Sequence, residues 1–262
     1  MLSEPTLQTP ATAPVRSNGL LINSIALIIL TSLLTTVLHE CAHFVPAYLY
    51  GFNPVLHHNY VAYDSAGRLV SQQLLIAAAG PGFSLLLGVV CLWLSTRLTE
   101  KGLLSLFLLW MGLQGVLAFF GYLFAAPFFT YGDTGFIFAK LGLPTWLVIV
   151  ISVSSFVVLN VILKRMAFAF RFYGSIGQSV QQRANALILF PMLASVASAV
   201  LHLPVTTPLS IIAPAITPTI FLSIYGTFRR TDPGQPTVPL SQISWLLMGL
   251  TAAMIVVFRL LN

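Results

Sequence analysis

Residues 20–43, LLINSIALIILTSLLTTVLHECAH, form the most informative stretch of this chain. About 20 consecutive apolar residues suffice to cross a bilayer as an α-helix, and this stretch meets that length. It ends in two histidines and a glutamate, which are costly at membrane depth unless they have a partner or a function. The stretch therefore predicts a transmembrane helix that carries a polar site at one end.

The composition of the whole chain agrees with a membrane protein. Of its 262 residues, 57% are hydrophobic and only 7% are charged, and the mean hydropathy is +0.92. Soluble domains average about 45–50% apolar and about 25% charged residues. These values exclude a soluble globular enzyme, a disordered chain and a nucleic-acid binder. The net charge of +6 fits loops on the cytoplasmic side of a membrane, and we expect the lipid bilayer rather than nucleic acid as a partner.

Further apolar stretches follow, so we predict an all-α polytopic membrane protein with about six or seven transmembrane helices. The sixth stretch is the least regular, because three prolines interrupt it. Residues 1–19 are polar and rich in proline and threonine, which predicts a disordered N-terminal tail before a single transmembrane domain at 20–262. The predicted stretches are residues 20–43, 72–96, 103–130, 144–163, 185–203, 206–226 and 242–261.

The polar stretch 53–71 between the first two spans carries the turn signal Asp64-Ser65-Ala66-Gly67. Residues 60–63 on one side of the turn, and Leu69 and Val70 on the other, have the composition of short strands. This pattern predicts a short β-hairpin associated with the membrane.

Alternation of the spans sorts the basic residues onto two sides of the membrane. The side that holds the N-terminus carries nine lysines and arginines, and the other side carries three, which are Arg68, Lys140 and Arg259. The positive-inside rule makes the first side cytoplasmic and puts residues 39–43 near the outer side. We expect an integral, multi-pass protein of the plasma membrane.

The HECAH sequence at residues 39–43 has the spacing of a zinc site. His39 and His43 are four residues apart, so a helix presents both imidazoles on one face, where they can bind one tetrahedral ion. Glu40 between them then serves as the general base that takes a proton from water. The alternative is a pair of interfacial histidines beside a glutamate that extends to the membrane surface.

Asp133 is the candidate for the third ligand that a catalytic zinc ion requires. The first and third spans run parallel, so the ends that carry His39, His43 and Asp133 lie at similar depth. One zinc ion held by these three residues is therefore the predicted cofactor. The alternative is that Asp133 only forms a turn or caps a helix.

Two further features lie near the same depth. Gly80-Pro81-Gly82 interrupts helix hydrogen bonding in the second span, which allows close helix approach and can turn freed backbone groups toward a polar cavity. A simple packing kink is the alternative. Tyr131, two residues before Asp133, is a candidate for the cavity lining, although an interfacial aromatic belt explains it equally well.

The remaining polar candidates are weaker. His57 and His58 can assist at the metal or the substrate, but histidines in loops are more often solvated. We expect His202 to lie at the interface and Cys41 to act as a small apolar residue off the histidine face.

An apolar helix ending in HExxH, a loop with a hairpin, a Gly-Pro-containing second helix and an Asp-Gly-type motif after a third helix resemble the site-2 protease family of intramembrane zinc metalloproteases. The resemblance covers residues 20–140, which it implies are a catalytic three-helix core, with additional transmembrane helices at 141–262. It implies that the chain is a zinc metalloendopeptidase whose hairpin receives substrate. The implied roles are zinc binding by His39, His43 and Asp133, catalysis by Glu40, and lining of the substrate cavity by Gly80, Pro81 and Ser84.

The chain departs from that family at two motifs. Ser84 stands where the family often has asparagine, and Gly132 precedes Asp133 where the family commonly has leucine. The family also usually has its site toward the cytoplasm, opposite to the side that the charge count indicates.

The expected function is hydrolysis of peptide bonds in or near transmembrane segments of membrane-protein or peptide substrates. Two alternatives stay open, a non-proteolytic zinc-binding or degenerate scaffold or regulator of the same fold, and a transporter that uses His39, Glu40 and Asp133 as an ion pathway. Transporters usually show internal repeats, and none is evident in this sequence. The sequence leaves the oligomeric state open.

Overall fold

The computed structural model describes residues 18–174, 177–205, 209–231 and 234–261. Within these residues, six helices are long and apolar enough to cross a membrane, and a seventh, Trp245–Leu260, is apolar but shorter. This confirms the predicted all-α polytopic architecture. Almost all of the predicted disordered tail at 1–19 lies outside the described residues, since Asn18 is the first described residue and a helix begins at Gly19.

The described residues form ten α-helices, and two of the six long apolar segments, Val180–His202 and Ile211–Arg230, each join several of the shorter ones. Short 3₁₀ turns follow α5 and α7 and precede α9, and a π-helical turn joins α6 to α7. The helices are α1 Gly19–Leu49, α2 Val70–Arg97, α3 Leu103–Ala125, α4 Asp133–Lys140, α5 Thr145–Met166, α6 Val180–Ala184, α7 Phe190–Ala197, α8 Leu209–Ile216, α9 Leu222–Arg230 and α10 Trp245–Leu260.

Two prolines that predict helix interruption lie inside continuous helices. Pro46 is within α1, which continues to Leu49, and Pro81 is within α2. A proline removes one donor from the helix, and neighbouring groups in a packed membrane bundle can compensate for the freed carbonyl. The predicted interruption of hydrogen bonding at residues 80–82 thus lies within α2 and does not end the helix.

Helix α1 is central, in contact with α2, α3, α7 and α10. Helices α2 and α3 approach closely because glycines line their contact. A Cβ atom on Gly115 would lie 2.6 Å from the Ser84 carbonyl oxygen, and one on Gly88 would lie 2.7 Å from the Val116 amide nitrogen. Small residues at such contacts let backbones pack tightly where no hydrophobic effect drives association.

Contacts between helix ends divide the molecule into two faces. At one face, which we call the basic end, α1 begins, α2 and α5 end, and the parallel strand pair β3 (Tyr173–Gly174) and β4 (Val238–Pro239) forms. At the other, the site end, α1 ends and the His58 amide donates to the Leu261 carbonyl at 3.0 Å. These contacts agree with the alternation of spans used for the charge count; the cytoplasmic assignment of the basic end stays a prediction.

The loop between α1 and α2 contains a strand pair, but it is shorter and earlier than the predicted hairpin. Strands β1 (Val55–Leu56) and β2 (Val61–Ala62) are antiparallel, with Val55 opposite Ala62. The predicted turn at 64–67 exists, since the Ala66 amide donates to Asp64 Oδ1 at 2.9 Å and Gly67 has a positive φ. That turn leads into α2 rather than into a second strand, so the predicted pairing through Leu69 and Val70 is wrong.

Candidate metal centre

Three side chains predicted as ligands meet at the site end. The Nε2 atoms of His39 and His43 lie 3.1 Å apart, and Asp133 Oδ2 lies 3.0 Å from the first and 3.2 Å from the second. Both histidines are buried, and the Asp133 side chain is 24% exposed. The three atoms form a nearly equilateral triangle that can hold a metal ion.

The other nitrogen of each imidazole is oriented by α2. His43 Nδ1 donates to the Ile76 carbonyl at 2.6 Å, and His39 Nδ1 lies 2.9 Å from Ser84 Oγ. A carbonyl oxygen only accepts hydrogen bonds, so in a neutral His43 the proton is on Nδ1 and the Nε2 lone pair points at Asp133. Lone pairs and a carboxylate that face one another at this distance are stabilised by a cation between them.

Gly80 leaves the space in which the two histidines converge. A Cβ atom at this position would overlap His43 Nε2 and would lie 2.6 Å from His39 Nε2. Ile76, Gly80 and Ser84 follow one another at four-residue spacing, so they lie on one face of α2. On this face, the Ile76 carbonyl accepts a hydrogen bond from His43, and the Ser84 hydroxyl lies beside His39. Gly80 leaves the space that both Nε2 atoms occupy. The predicted lining residue Pro81 is buried on the neighbouring position of the same helix.

Asp133 reaches the histidines because a tight turn folds α4 back after α3. Thr134 Oγ1 donates to the Tyr122 carbonyl at 2.6 Å, which ties the start of α4 to the last turns of α3. A Cβ atom on Gly135 would collide with the Phe129 carbonyl oxygen, so this close approach requires glycine. The Gly132-Asp133-Thr134-Gly135 sequence is thus explained by the turn, and the carboxylate is the group that it delivers.

Glu40 lies beside this group and is buried. Its carboxylate is close enough to His43 and Asp133 to interact electrostatically with both. Tyr63, in the loop after β2, also borders the site, since burial and then the charge of Asp133 raise the pKa of its phenol. The predicted base and ligands therefore share one partly enclosed polar region.

The tyrosine that stacks on a ligand is Tyr122, not the Tyr131 that the sequence singled out. Tyr131 is 55% exposed, with its ring against Phe129. Tyr122 on α3 instead stacks on His39, with ring centroids 5.1 Å apart and planes at 10°. Sequence analysis missed Tyr122 because it lies within an apolar run, where a single aromatic residue carries no pattern of its own.

The other histidines lie away from the ligand triangle. His57 stacks on Tyr60 in the turn between β1 and β2, and His58 Nε2 donates to the His202 carbonyl at 3.0 Å. His202 itself is buried rather than interfacial. Cys41 is a half-buried free thiol, as expected for a residue off the histidine face. The loop histidines therefore serve the fold of the loop in this structure.

The resemblance to intramembrane zinc proteases rests on the sequence motifs of this chain. No family model, curated protein or solved structure matches it.

Proposed function

We propose that this chain is an intramembrane zinc metalloprotease that hydrolyses peptide bonds in or near transmembrane segments of other membrane proteins. The observation that carries the proposal is the triangle of His39 Nε2, His43 Nε2 and Asp133 Oδ2 next to Glu40. A catalytic zinc site consists of three protein ligands, an open fourth position and a nearby general base.

The dimensions of the triangle favour zinc. Zinc–nitrogen and zinc–oxygen distances of about 2.0–2.1 Å imply about 3.3 Å between ligand atoms of a tetrahedral site. The edges here are 3.0, 3.1 and 3.2 Å, so a shift of a few tenths of an ångström suffices. Two imidazoles and one carboxylate also suit zinc better than calcium or magnesium, which prefer oxygen ligands.

The residues around the triangle have distinct tasks in the proposed reaction. Zinc bound there supplies a Lewis acid that polarises water and the peptide carbonyl. Glu40 takes a proton from the attacking water, whose oxygen adds to the carbonyl carbon. As the carbon–nitrogen bond breaks, Glu40 returns that proton to the leaving amine. Ser84 and the Ile76 carbonyl hold the imidazoles in place and make no contact with substrate in this scheme.

The substrate must be extended before it can be cut, because a helix hides its carbonyls in backbone hydrogen bonds. Strands β1 and β2 lie in the loop that precedes the site helix α2, and Tyr63, directly after β2, is close enough to Asp133 for the carboxylate charge to raise the pKa of its phenol. An unwound substrate segment that pairs with this loop as an added strand would be held extended next to the metal. This role of the loop is part of the proposal.

The proposal is tested with the purified full-length chain reconstituted in liposomes. Wild-type protein should bind about one zinc per chain and cleave members of a fluorogenic library of transmembrane peptides. Glu40→Gln should keep the zinc, and its cleavage rate should fall by about 10²–10⁴-fold, because a positioned base contributes that much. Glu100→Gln is the matched control, since Glu100 is exposed at the basic end.

Each alternative predicts a different result from the same preparation. Zinc binding without cleavage of any peptide, in both wild type and Glu40→Gln, would favour a non-proteolytic zinc-binding protein of this architecture. Undiminished cleavage by Glu40→Gln would eliminate Glu40 as the base. Ion flux across the liposome membrane that depends on Glu40 would favour the transporter.

A further inference from the structure

A cavity of about 340 Å³ lies at the basic end, on the face opposite to the metal centre. It opens between the end of α2, the start of α3 and the segment that follows α5. Three cations line it, Lys101, Arg165 and Arg171, together with the hydroxyl groups of Ser95, Thr96 and Ser105. Its volume is within the range of about 300–1,000 Å³ that is typical of small-molecule sites.

The cations are gathered rather than dispersed. The Lys101 ammonium lies 5.8 Å and the Arg171 guanidinium 4.9 Å from the centroid of the same ring, Phe172. Both cations therefore lie against one ring, and an anion bound in the cavity would offset the repulsion between their like charges. Among the described residues, the lining contains no carboxylate, and Glu100 next to Lys101 is exposed.

Lys101 is held in place by backbone carbonyls at the C-terminal end of α2. Its ammonium donates to the Ser95 carbonyl at 2.7 Å and to the Thr96 carbonyl at 3.3 Å. Ser105 Oγ also donates to the Ser95 carbonyl, at 3.3 Å. The cationic wall is therefore partly preorganised, which reduces the entropy lost when a ligand binds.

The exposed side of α5 is predominantly apolar from Trp146 to Val161, and one row of its side chains leads to this cavity. Val153, Val157 and Val161 follow one another at four-residue spacing on α5 and are 56%, 54% and 46% exposed. The same spacing continues to Arg165, so the stripe ends at the cations. A soluble phosphate gains no stabilisation from contact with such a valine stripe, whereas the acyl chain of a lipid can lie along it.

We propose that this cavity binds the phosphate headgroup of an anionic phospholipid, whose acyl chain lies along the valine stripe of α5. Arginine and lysine are the side chains that recognise phosphate oxygens, through charge-assisted hydrogen bonds. Basic pockets between transmembrane helices on the anionic leaflet commonly bind such headgroups. The positive-inside count puts the basic end on that leaflet.

The test titrates the full-length protein in detergent with dioleoylphosphatidylglycerol and counts the retained lipid by native mass spectrometry. Phosphatidylcholine controls for the acyl chains, and glycerol 3-phosphate controls for the soluble headgroup. Wild-type protein should retain one phosphatidylglycerol in preference to both. The double variant Arg165→Gln/Arg171→Gln should bind it about thirtyfold more weakly, because each cation contributes about fivefold.

The matched control is Arg229→Gln/Arg230→Gln, which removes the same charge from the same end of the molecule outside the cavity lining. Equal loss of lipid in both double variants would overturn the site, since binding would then follow net charge alone. Binding of glycerol 3-phosphate as tight as that of the lipid would overturn the lipid assignment. If the double variant does not fold, the exposed Arg165→Gln alone should show about a fivefold loss, and an unchanged affinity there would overturn the proposal.

Discussion

Two buried pairs of histidines lie at the site end of this protein, and they differ in what surrounds them. In the first pair, His39 and His43, the Nε2 atoms converge to 3.1 Å and share Asp133. In the second pair, the rings of His58 and His202 pack edge-on against Phe258, at 5.0 and 5.1 Å. The first pair is arranged around a space that suits a cation, and the second pair around a phenyl ring.

Hydrogen bonds account for the difference. The bonds to Ile76 and Ser84 occupy the Nδ1 atoms of the first pair and turn both Nε2 atoms toward a carboxylate. His58 instead uses Nε2 to donate to the His202 carbonyl, and its Nδ1 has no hydrogen-bond partner among the described residues. Burial of two histidines is therefore not enough to make a metal site; the carboxylate and the orientation of the second nitrogen are required.

Removal of one histidine from each pair should have the largest effect. His39→Ala should lower zinc affinity by more than about a hundredfold, since even the loss of an outer hydrogen-bond partner costs about 10–100-fold. His58→Ala should leave zinc affinity unchanged. Zinc content of the two purified variants, measured by elemental mass spectrometry, checks this. Retention of zinc by His39→Ala would contradict the proposed centre.

Two glycines on α2 give the next largest contrast. Gly80→Ala puts a methyl group where the Nε2 atoms converge and should abolish zinc binding, although alanine is favoured over glycine in a helix by about 1 kcal/mol. Gly82→Ala is the control, because a Cβ atom there meets nothing within 4 Å. Zinc titration of both variants distinguishes them. Equal affinities would show that the histidines move apart more readily than their packing suggests.

The hydroxyl behind His39 should have an intermediate effect. Ser84→Ala removes the partner of His39 Nδ1 and should weaken zinc binding by about tenfold, at the low end for an outer-shell group because a hydroxyl is a weaker partner than a carboxylate. Ser95→Ala, on the same helix near the basic end, should not change zinc affinity. A competition titration with a zinc chelator measures both, and equal affinities of wild type and Ser84→Ala would contradict an orienting role.

The second pair predicts the smallest effect, which concerns the loop rather than the metal. His58→Ala should lower the free energy of unfolding by about 1–3 kcal/mol, through loss of a buried hydrogen bond and of ring packing. Amide exchange in β1 and β2 should increase, because the His58 side chain ties this loop to His202. His57→Ala, whose ring stacks on Tyr60, is the adjacent control. Unchanged exchange in His58→Ala would mean that other contacts fix the loop.

Much of the candidate metal centre was predictable from the chain itself. Ligands four apart on a helix must share a face, and the lengths of two parallel spans put Asp133 at the depth of His39. The group that orients His43 was not predictable, because it is the backbone carbonyl of Ile76, and every residue has one. Tyr122 was missed for a related reason, since one aromatic residue in an apolar run carries no pattern of its own.

The loop between α1 and α2 shows where sequence patterns become too short. Strands of two residues contain no alternation to detect. The turn signal at 64–67 therefore led to a predicted pairing of residues 60–63 with Leu69 and Val70, whereas the strands that pair are β1 and β2. Its Gly67 does reverse the chain, but the residues after it form the first turn of α2. Leu69 keeps an extended backbone as the N-cap residue of α2, and Val70 begins the helix, where helix propagation outweighs its strand propensity.

The sequence identifies this chain as a multi-span helical membrane protein, because apolar runs of this length have no other stable environment. It also determined which residues can bind a metal, because charged and imidazole groups are rare in such runs. Helix packing sets which histidine pair meets a carboxylate and which nitrogen of each ring points inward, and it explains why Gly80 must lack a side chain. These properties depend on contacts between α1, α2 and α4, which are distant in the sequence, so no local pattern encodes them.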